Sequence, residues 1–193
     1  MNEMFEIKYN AIQPATGRLL ISEPLLQDKY FQRTVILLVD HSKEGSFGVI
    51  INKVLEGVST ELFELLGAGF YLYFGGPVDT KSIFFIHKRP DLIRGGDHIV
   101  GNMYWGGNVD DLLDAIEDEK ISVNDFRLFS GYSGWGPGQL ERELSENTWA
   151  VAIPPNIDEL FSIPHDKLWR KIVYTLGKDY YFWNLLPTDP QLN

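Results

Sequence analysis

The sequence predicts an α+β fold with a mixed, mainly antiparallel sheet. Strand-like and helix-like patterns both occur along the chain, but they do not alternate regularly as they do in doubly wound sheets. Two continuous apolar runs, over residues 34–39 and 47–51, are separated only by a short polar segment typical of turns. A connection this short can join antiparallel strands but cannot cross over between parallel ones. We therefore expect these runs to form a buried β-hairpin.

Shorter apolar runs that end at glycine, proline or polar residues predict the other strands. These cover residues 17–21, 71–74, 82–87, 98–100, 126–130 and 149–153. Capping residues and helical spacing of apolar side chains predict helices over residues 60–66, 109–119, 137–146 and 166–176. Asn108 is the expected N-cap of the second helix. The aromatic segment 180–183 is expected to dock on the rest of the protein, and residues 187–193 are expected to fray.

The length of 193 residues suits one domain, because domains usually contain about 100–200 residues. We expect a single domain over residues 1–193, with a core from about residue 15 to 178 and an aromatic C-terminal tail from 179 to 193. No stretch approaches the roughly 18 consecutive apolar residues of a membrane span. The first residues lack the basic region and apolar run of a signal peptide. The expected location is therefore the cytoplasm, without membrane contact.

The composition narrows the classes of function. Asp and Glu number 27 against 17 Lys and Arg, which gives a net charge of −10 at pH 7. Direct binding to nucleic acid is not expected, because it needs clustered basic side chains that face the phosphates. The absence of cysteine excludes disulfides, thiol catalysis and Cys-based metal sites. Histidines and acids do not occur at the spacing of a known metal motif, so neither a metal nor a cofactor is predicted.

Three segments of the sequence carry a family resemblance. The first, over residues 17–52, contains GRLLISEP, DKYFQRTVILLVDH and GSFGVIIN. The second is GGPV at residues 75–78, and the third is GYSGWGPGQLERE at residues 131–143. In this order they resemble the AlgH/YqgE family of small bacterial proteins, over most of the chain from about residue 15 to 178. The ending PTDPQLN resembles the Bacteroidetes-type members.

The resemblance implies both a fold and a class of function. The implied fold is α+β, with a bifurcated sheet that forms a pseudo-barrel and has helices around it. The implied function is transcriptional regulation, without a defined reaction. Two family motifs differ here: Asp40 and His41 stand where Glu-His is usual, and residues 51–54 read INKV where Leu-Asn-Arg-Pro is usual.

The segment over residues 130–141, SGYSGWGPGQLE, has the densest local pattern and is predicted to be a glycine-rich loop between a strand and a helix. Its candidate ligand-binding residues are Ser133, Gly134, Trp135 and Gln139, because glycines allow backbone N–H groups to approach a ligand closely. The spacing matches neither a dinucleotide fingerprint nor a P-loop, and Ser133 does not sit in a nucleophile elbow. We prefer the alternative that this segment is a tight connection in which Trp135 fills the core.

Three further residues are candidates for ligand binding. His41 could act as a base oriented by Asp40, while Asn52 and Gly76 could line a pocket. The preferred interpretations are structural. His41 packs over the hairpin, Asn52 bonds to the backbone, and Gly76 ends a strand where glycine's φ freedom is needed.

These observations favour a cytosolic binding protein over an enzyme. The expected function is that of a regulator that acts by binding. The sequence does not identify its partner, which could be a protein, and no catalytic residue is assigned. The alternative is a small-molecule-binding protein or a hydrolase-like enzyme that uses the segment over residues 131–138.

Overall fold

The computed structural model describes residues 12–56 and 70–187. The predicted helix over residues 60–66 and nearly all of the segment expected to fray lie outside these ranges. The strands are β1 (Leu19–Ser22), β2 (Val35–Ser42), β3 (Gly45–Ile50), β4 (Leu72–Phe74), β5 (Val78–His87), β6 (Asp97–Val100), β7 (Met103–Trp105), β8 (Phe126–Trp135) and β9 (Trp149–Ala152). The helices are α1 (Val109–Glu117), α2 (Gln139–Ser145), α3 (His165–Thr175) and a C-terminal 3-10 helix (Lys178–Leu185).

Strand β8 is shared between two sheets. Its second half pairs with β3, and this first sheet continues through β2 and β1 to β9. Its first half pairs with β5 on one side and with β4 in parallel on the other, and this second sheet continues through β7 to β6. The predicted α+β fold with a mixed, mainly antiparallel and bifurcated sheet is therefore confirmed. The pseudo-barrel is open, since β6 and β9 end the strand path of the described residues.

The hairpin of β2 and β3 is confirmed, but its turn is shorter than predicted. β2 extends through Ser42 and β3 begins at Gly45, so that only Lys43 and Glu44 form the turn. The polar residues before the turn continue the strand because their backbone groups pair with β3 where the hairpin projects into solvent. The register shifts after Leu38, which marks a β-bulge in β2.

The predicted glycine-rich loop is wrong, because β8 runs through it. The strand was expected to end at Ser130 and instead continues to Trp135, paired with β3 from Ser133 onward. Glycine usually weakens a strand, but here it allows another part of the backbone to approach closely. The short strand β7, which lies among glycines, was also not predicted.

Buried side chains form a central core and two outer layers. The central core lies between the two sheets and includes side chains of α3 and the C-terminal 3-10 helix. α2 covers the outer face of the first sheet, and α1 covers the outer face of the second. The aromatic tail docks as predicted: Tyr180 and Trp183 are buried, and Trp183 stacks on Trp169 with ring centres 6.2 Å apart. Asn108 caps α1 by accepting a hydrogen bond from the Asp111 backbone N–H.

Three glycines allow the chain after β4 to cross β8 in direct backbone contact. A Cβ atom on Gly75 would lie 2.1 Å from the carbonyl oxygen of Gly131. A Cβ atom on Gly131 would lie 2.6 Å from the carbonyl oxygen of Gly76. Gly76 itself has φ of +152°, and its Cβ would lie 2.3 Å from the Tyr132 backbone. No side chain fits at this crossing, so Gly76 has the structural role that the sequence favoured.

Among the helices that the structure describes, none combines the length and the apolar character that a membrane crossing needs.

We predict that Gly75→Ala lowers the free energy of unfolding by about 3 kcal/mol or more, the upper range for forcing extra atoms into a packed site. The control is Gly138→Ala, at a glycine with φ of +69° and no atom within 4 Å of the added Cβ. This control should cost only about 1 kcal/mol of backbone strain. Urea denaturation measures both variants, and equal losses would contradict the steric role of the crossing.

Candidate functional site

The central core opens to solvent through a groove with a volume of about 660 Å³. We call it the aromatic groove. Its lining consists of Asp40, Ser42, Glu44, Gly45, Ser46, Phe47, Val78, Phe84, Trp105, Tyr132, Gly134 and Trp135. Clefts at the mouth of a sheet-enclosed core are common binding sites, so the aromatic groove is the candidate functional site.

Four half-buried rings form the floor of the aromatic groove. Phe84 stacks on Trp105 with ring centres 5.4 Å apart and planes 17° from parallel. Phe47 is in edge-to-face contact with Trp105, with ring centres 5.5 Å apart, and with Tyr132, at 5.9 Å. Tyr132 is also perpendicular to Phe84, at 5.7 Å. Each ring is thus held by two others, which produces a preformed aromatic surface.

The four rings come from strands of both sheets: Phe47 from β3, Phe84 from β5, Trp105 from β7 and Tyr132 from β8. In a regular strand, side chains two residues apart share a face. In β8, however, the side chains of Phe129 and Tyr132 are three residues apart and both pack against the central core. Between them lies Gly131 with φ of +68°, a conformation that shifts the alternation as a bulge does. This shift turns Tyr132 into the groove.

The rim of the aromatic groove is acidic. Asp40 lies opposite Phe47 in the hairpin, and Glu44 lies in the hairpin turn. Both side chains are exposed, and neither carboxylate has a hydrogen bond or an ion pair with any residue that the structure describes. The described lining contains no Lys, Arg or His. The groove therefore combines exposed aromatic surface with two free negative charges.

Two of the predicted site residues, Gly134 and Trp135, line the aromatic groove. Gly134 is exposed and lies opposite Phe47. The ring of Trp135 belongs to the outer layer beneath α2, where it is 6% exposed and meets Trp149 edge-on at 6.0 Å. The interpretation of Trp135 as a core residue is therefore confirmed.

Glu143 of α2 joins these tryptophans to the helix. One of its carboxylate oxygens accepts hydrogen bonds from the indole Nε1 of Trp135 and of Trp149, both at 2.8 Å. The other oxygen accepts a bond from Nε2 of Gln139 at 2.8 Å. The Oε1 atom of Gln139 accepts a bond from the Gly136 backbone N–H at 3.0 Å. Gln139, a predicted site residue, thus fastens α2 to the end of β8.

Ser133 and Asn52 make structural hydrogen bonds. Ser133 is fully buried, and its hydroxyl donates to the Gly75 carbonyl at 3.1 Å. The Asn52 amide accepts from the Val35 backbone N–H at 2.8 Å and donates to the Arg33 carbonyl at 2.9 Å. The side chain of Asn52 thus holds the backbone at the start of β2, as the sequence favoured.

His41 lies on the face opposite the aromatic groove. Its Nδ1 atom is 2.7 Å from the hydroxyl oxygen of Ser46, which faces it across the hairpin. Its Nε2 atom is 3.9 Å from a carboxylate oxygen of Glu141 on α2. A hydroxyl, an imidazole and a carboxylate in this order resemble a hydrolytic triad. Ser46 is 8% exposed within a regular strand, however, which leaves little room for a substrate.

A second histidine, His87, is fully buried in β5. Its Nδ1 atom accepts a hydrogen bond from the Arg89 backbone N–H at 3.2 Å, and its ring stacks on Tyr104 at 5.6 Å. Burial lowers the pKa of His87 below its ordinary value of 6.5, because the protonated ring would lose its hydration. The folded protein therefore holds this imidazole neutral at pH 7.

Sequence reasoning missed the four rings of the aromatic groove. None of these rings was a candidate site residue, and Phe47 and Phe84 fell only within predicted strands. The rings come together because separate strands meet at β8, and this pairing has no local signal in the sequence. The bend at Gly131 that turns Tyr132 inward is likewise a tertiary feature.

An open, bifurcated α+β sheet with an aromatic groove at the mouth of its core defines the structural class of this protein. The chain belongs to the AlgH-like family, whose model matches residues 19–181. A UPF0301 protein of Parabacteroides distasonis is 36% identical over 98% of this chain and 97% of the relative. A UPF0301 protein of Bacteroides thetaiotaomicron is also 36% identical, over 100% of this chain and 98% of the relative. The predicted family and the Bacteroidetes-type assignment are confirmed.

Solved structures agree with this fold. The solution structure of the AlgH protein from Pseudomonas aeruginosa is 28% identical, with a TM-score of 0.69 over 89% of this chain and 93% of that chain. Protein DIP2367 from Corynebacterium diphtheriae is 23% identical, and its crystal structure matches with a TM-score of 0.68 over 91% of this chain and 94% of that chain. At this low identity, the likeness to DIP2367 shows the fold alone.

We predict that Glu143→Gln lowers the free energy of unfolding by about 2 kcal/mol, a usual value for hydrogen bonds to a charged group. The amide retains one acceptor oxygen for three donors, so that either the Gln139 amide group or the two indole N–H groups face an NH₂ group in place of an acceptor. Glu146→Gln at the exposed end of α2 is the control and should change stability by less than about 0.5 kcal/mol. Thermal melts compare the two, and an unchanged Glu143→Gln variant would contradict the role of this carboxylate.

We predict that stability decreases as the pH falls below about 6.5, the ordinary pKa of histidine. The unfolded chain takes up a proton at this pH, whereas folded His87 does so only at lower pH, so acid favours the unfolded state. Urea midpoints at pH 7.5 and 5.5 measure the effect. His87→Phe should reduce this difference, while His98→Gln, at an exposed histidine, should retain it. Equal pH dependence in both variants would exclude His87 as the source.

Proposed function

We propose that this protein is a transcriptional regulator that acts by binding a protein partner at the aromatic groove, and not by catalysis. The observation that carries the proposal is the preformed aromatic surface, whose four rings support one another before any ligand binds. Preformed apolar surface favours binding because little ordering is required when the partner arrives. The groove is broad and open, which suits a segment of a protein chain.

The charge of the protein favours a protein partner over DNA. The net charge is −10, and the aromatic groove adds two free carboxylates without a basic side chain among its described lining residues. A phosphate backbone would be repelled from this surface. In this proposal the regulator changes transcription through another protein, in the cytoplasm.

A hydrolase is the second candidate, at a place other than the segment over residues 131–138 that the sequence suggested, because of the contact between His41 and Ser46 at 2.7 Å. In a hydrolase of this kind, His41 would take the proton of the Ser46 hydroxyl, and Glu141 would stabilise the imidazolium. The long distance from His41 to Glu141, 3.9 Å, and the burial of Ser46 support the binding function instead.

Deleting the gene in its bacterium and profiling transcripts tests the proposal. We predict that the deletion changes a defined set of transcripts, that the wild-type gene restores them, and that Val78→Lys in the groove does not. Ile153→Lys, at an exposed apolar residue outside the described groove lining, is the matched control and should restore them. Thermal melts establish that each variant is folded.

Three outcomes of this experiment would contradict the proposal. An unchanged transcript profile after deletion would exclude regulation. Restoration by a Val78→Lys variant would exclude the aromatic groove as the site. Failure of a folded His41→Gln variant to restore the transcripts would favour the hydrolase, because His41 lies outside the groove lining.

A further inference from the structure

We infer that the aromatic groove binds an arginine side chain presented by an extended segment of the protein partner. This inference rests on the proposed function and names the chemistry of its partner. It follows from three features of the groove: its ring surface, its free carboxylates and the absence of a basic group from its described lining.

The ring surface is suited to a cation. Aromatic faces carry partial negative charge and attract a guanidinium or ammonium group within about 6 Å of the ring centre, with tryptophan the strongest partner. Phe84, Trp105 and Tyr132 are only half-buried, so part of each ring faces the groove. An uncharged apolar ligand would use the same surface, and therefore the rings alone do not select a cation.

The carboxylates at the rim of the aromatic groove select a cation over an uncharged ligand. Asp40 and Glu44 are exposed carboxylates on the same hairpin, and among the described residues neither has a cation to neutralise it. Both carboxylates belong to the groove lining, so a cation bound in the groove would be attracted to each of them. Lys43 is the neighbouring basic residue in the turn, but it is not part of the described lining. The charged side chains of the described lining are therefore acidic only, which favours a cationic ligand over a neutral one.

Arginine fits this combination better than lysine. Its planar guanidinium stacks on rings while its edges donate hydrogen bonds to carboxylates, whereas lysine offers a compact point charge. The protein already uses this packing internally. The guanidinium carbon of Arg127 lies 4.6 Å from the ring centre of Tyr73 and 4.5 Å from that of Phe161, and its nitrogens donate to two backbone carbonyls.

A charge-matched peptide pair tests the inference. The first peptide is acetyl-GSGLRLGSG-amide, in which arginine provides the only charge, and the second replaces arginine with citrulline, its neutral isostere. Titration into the full-length ¹⁵N-labelled protein is followed at the indole N–H signal of Trp105, assigned by its loss in Trp105→Phe. The arginine peptide should bind about tenfold more tightly than the citrulline peptide, from cation–π and carboxylate contacts together.

A pair of double variants tests the rim. Asp40→Asn with Glu44→Gln should weaken binding of the arginine peptide about threefold to fivefold, as expected for exposed charge pairs. Asp114→Asn with Glu117→Gln removes the same charge from the exposed face of α1 and should change the affinity less than about twofold. Equal weakening by both pairs would show that only net charge matters, and it would overturn the inference.

The remaining outcomes separate this inference from the proposed function. Equal affinity for the two peptides, or shifts that do not include Trp105, would overturn the inference while the transcript experiment still stands. Conversely, selective binding of the arginine peptide together with full restoration by Val78→Lys would retain the inference and reject the proposed function.

Two further outcomes would identify a different occupant of the aromatic groove. Arginine amide that binds as tightly as the peptide would identify a small cation as the ligand. Concentration-dependent self-association that is lost in the Asp40 and Glu44 double variant would identify a second copy of this chain. Either result would overturn the assignment to a partner segment.

Discussion

The backbone crossing of Gly75 and Gly76 with Gly131 is the constraint on which the rest of the structure depends. Main-chain atoms touch here with no space for a Cβ atom, so the chain that leaves β4 lies directly against β8. At this crossing β8 leaves the second sheet and begins to pair with β3 in the first. A side chain at any of these positions would separate the two sheets where the central core needs them together.

The layers on either side of the crossing are stabilised by different interactions. The central core is filled by apolar side chains from both sheets and is closed by α3, so its stability comes mainly from buried apolar area. The outer layer beneath α2 is fastened by polar contacts that converge on Glu143. The aromatic groove is a part of the central core that none of the described helices covers, and its rings therefore stay partly exposed among the described residues.

Local patterns predicted most of the fold and little of the site. The apolar runs of β2 and β3, the cap at Asn108 and the docked aromatic tail could all be predicted, because each depends on neighbours in sequence. The course of β8 could not, because its glycines look like a loop until the contacting backbone is known. The candidates Ser133 and Asn52 were polar residues near suggestive motifs, and both proved to bond to the backbone. The groove is assembled from four strands, and no single segment indicates it.

The aromatic groove joins residues from inside and outside the sequence motifs that carry the family resemblance. Phe47 and Tyr132 lie inside the motifs GSFGVIIN and GYSGWG, which are tied to the hairpin and to the glycine crossing. Phe84 and Trp105 lie outside those motifs, on β5 and β7. The rings contact one another across this boundary, so each motif ring is supported by a ring that lies outside the motifs. The shared motifs therefore account for only half of the ring surface, and a chain with the same motifs need not present the same groove.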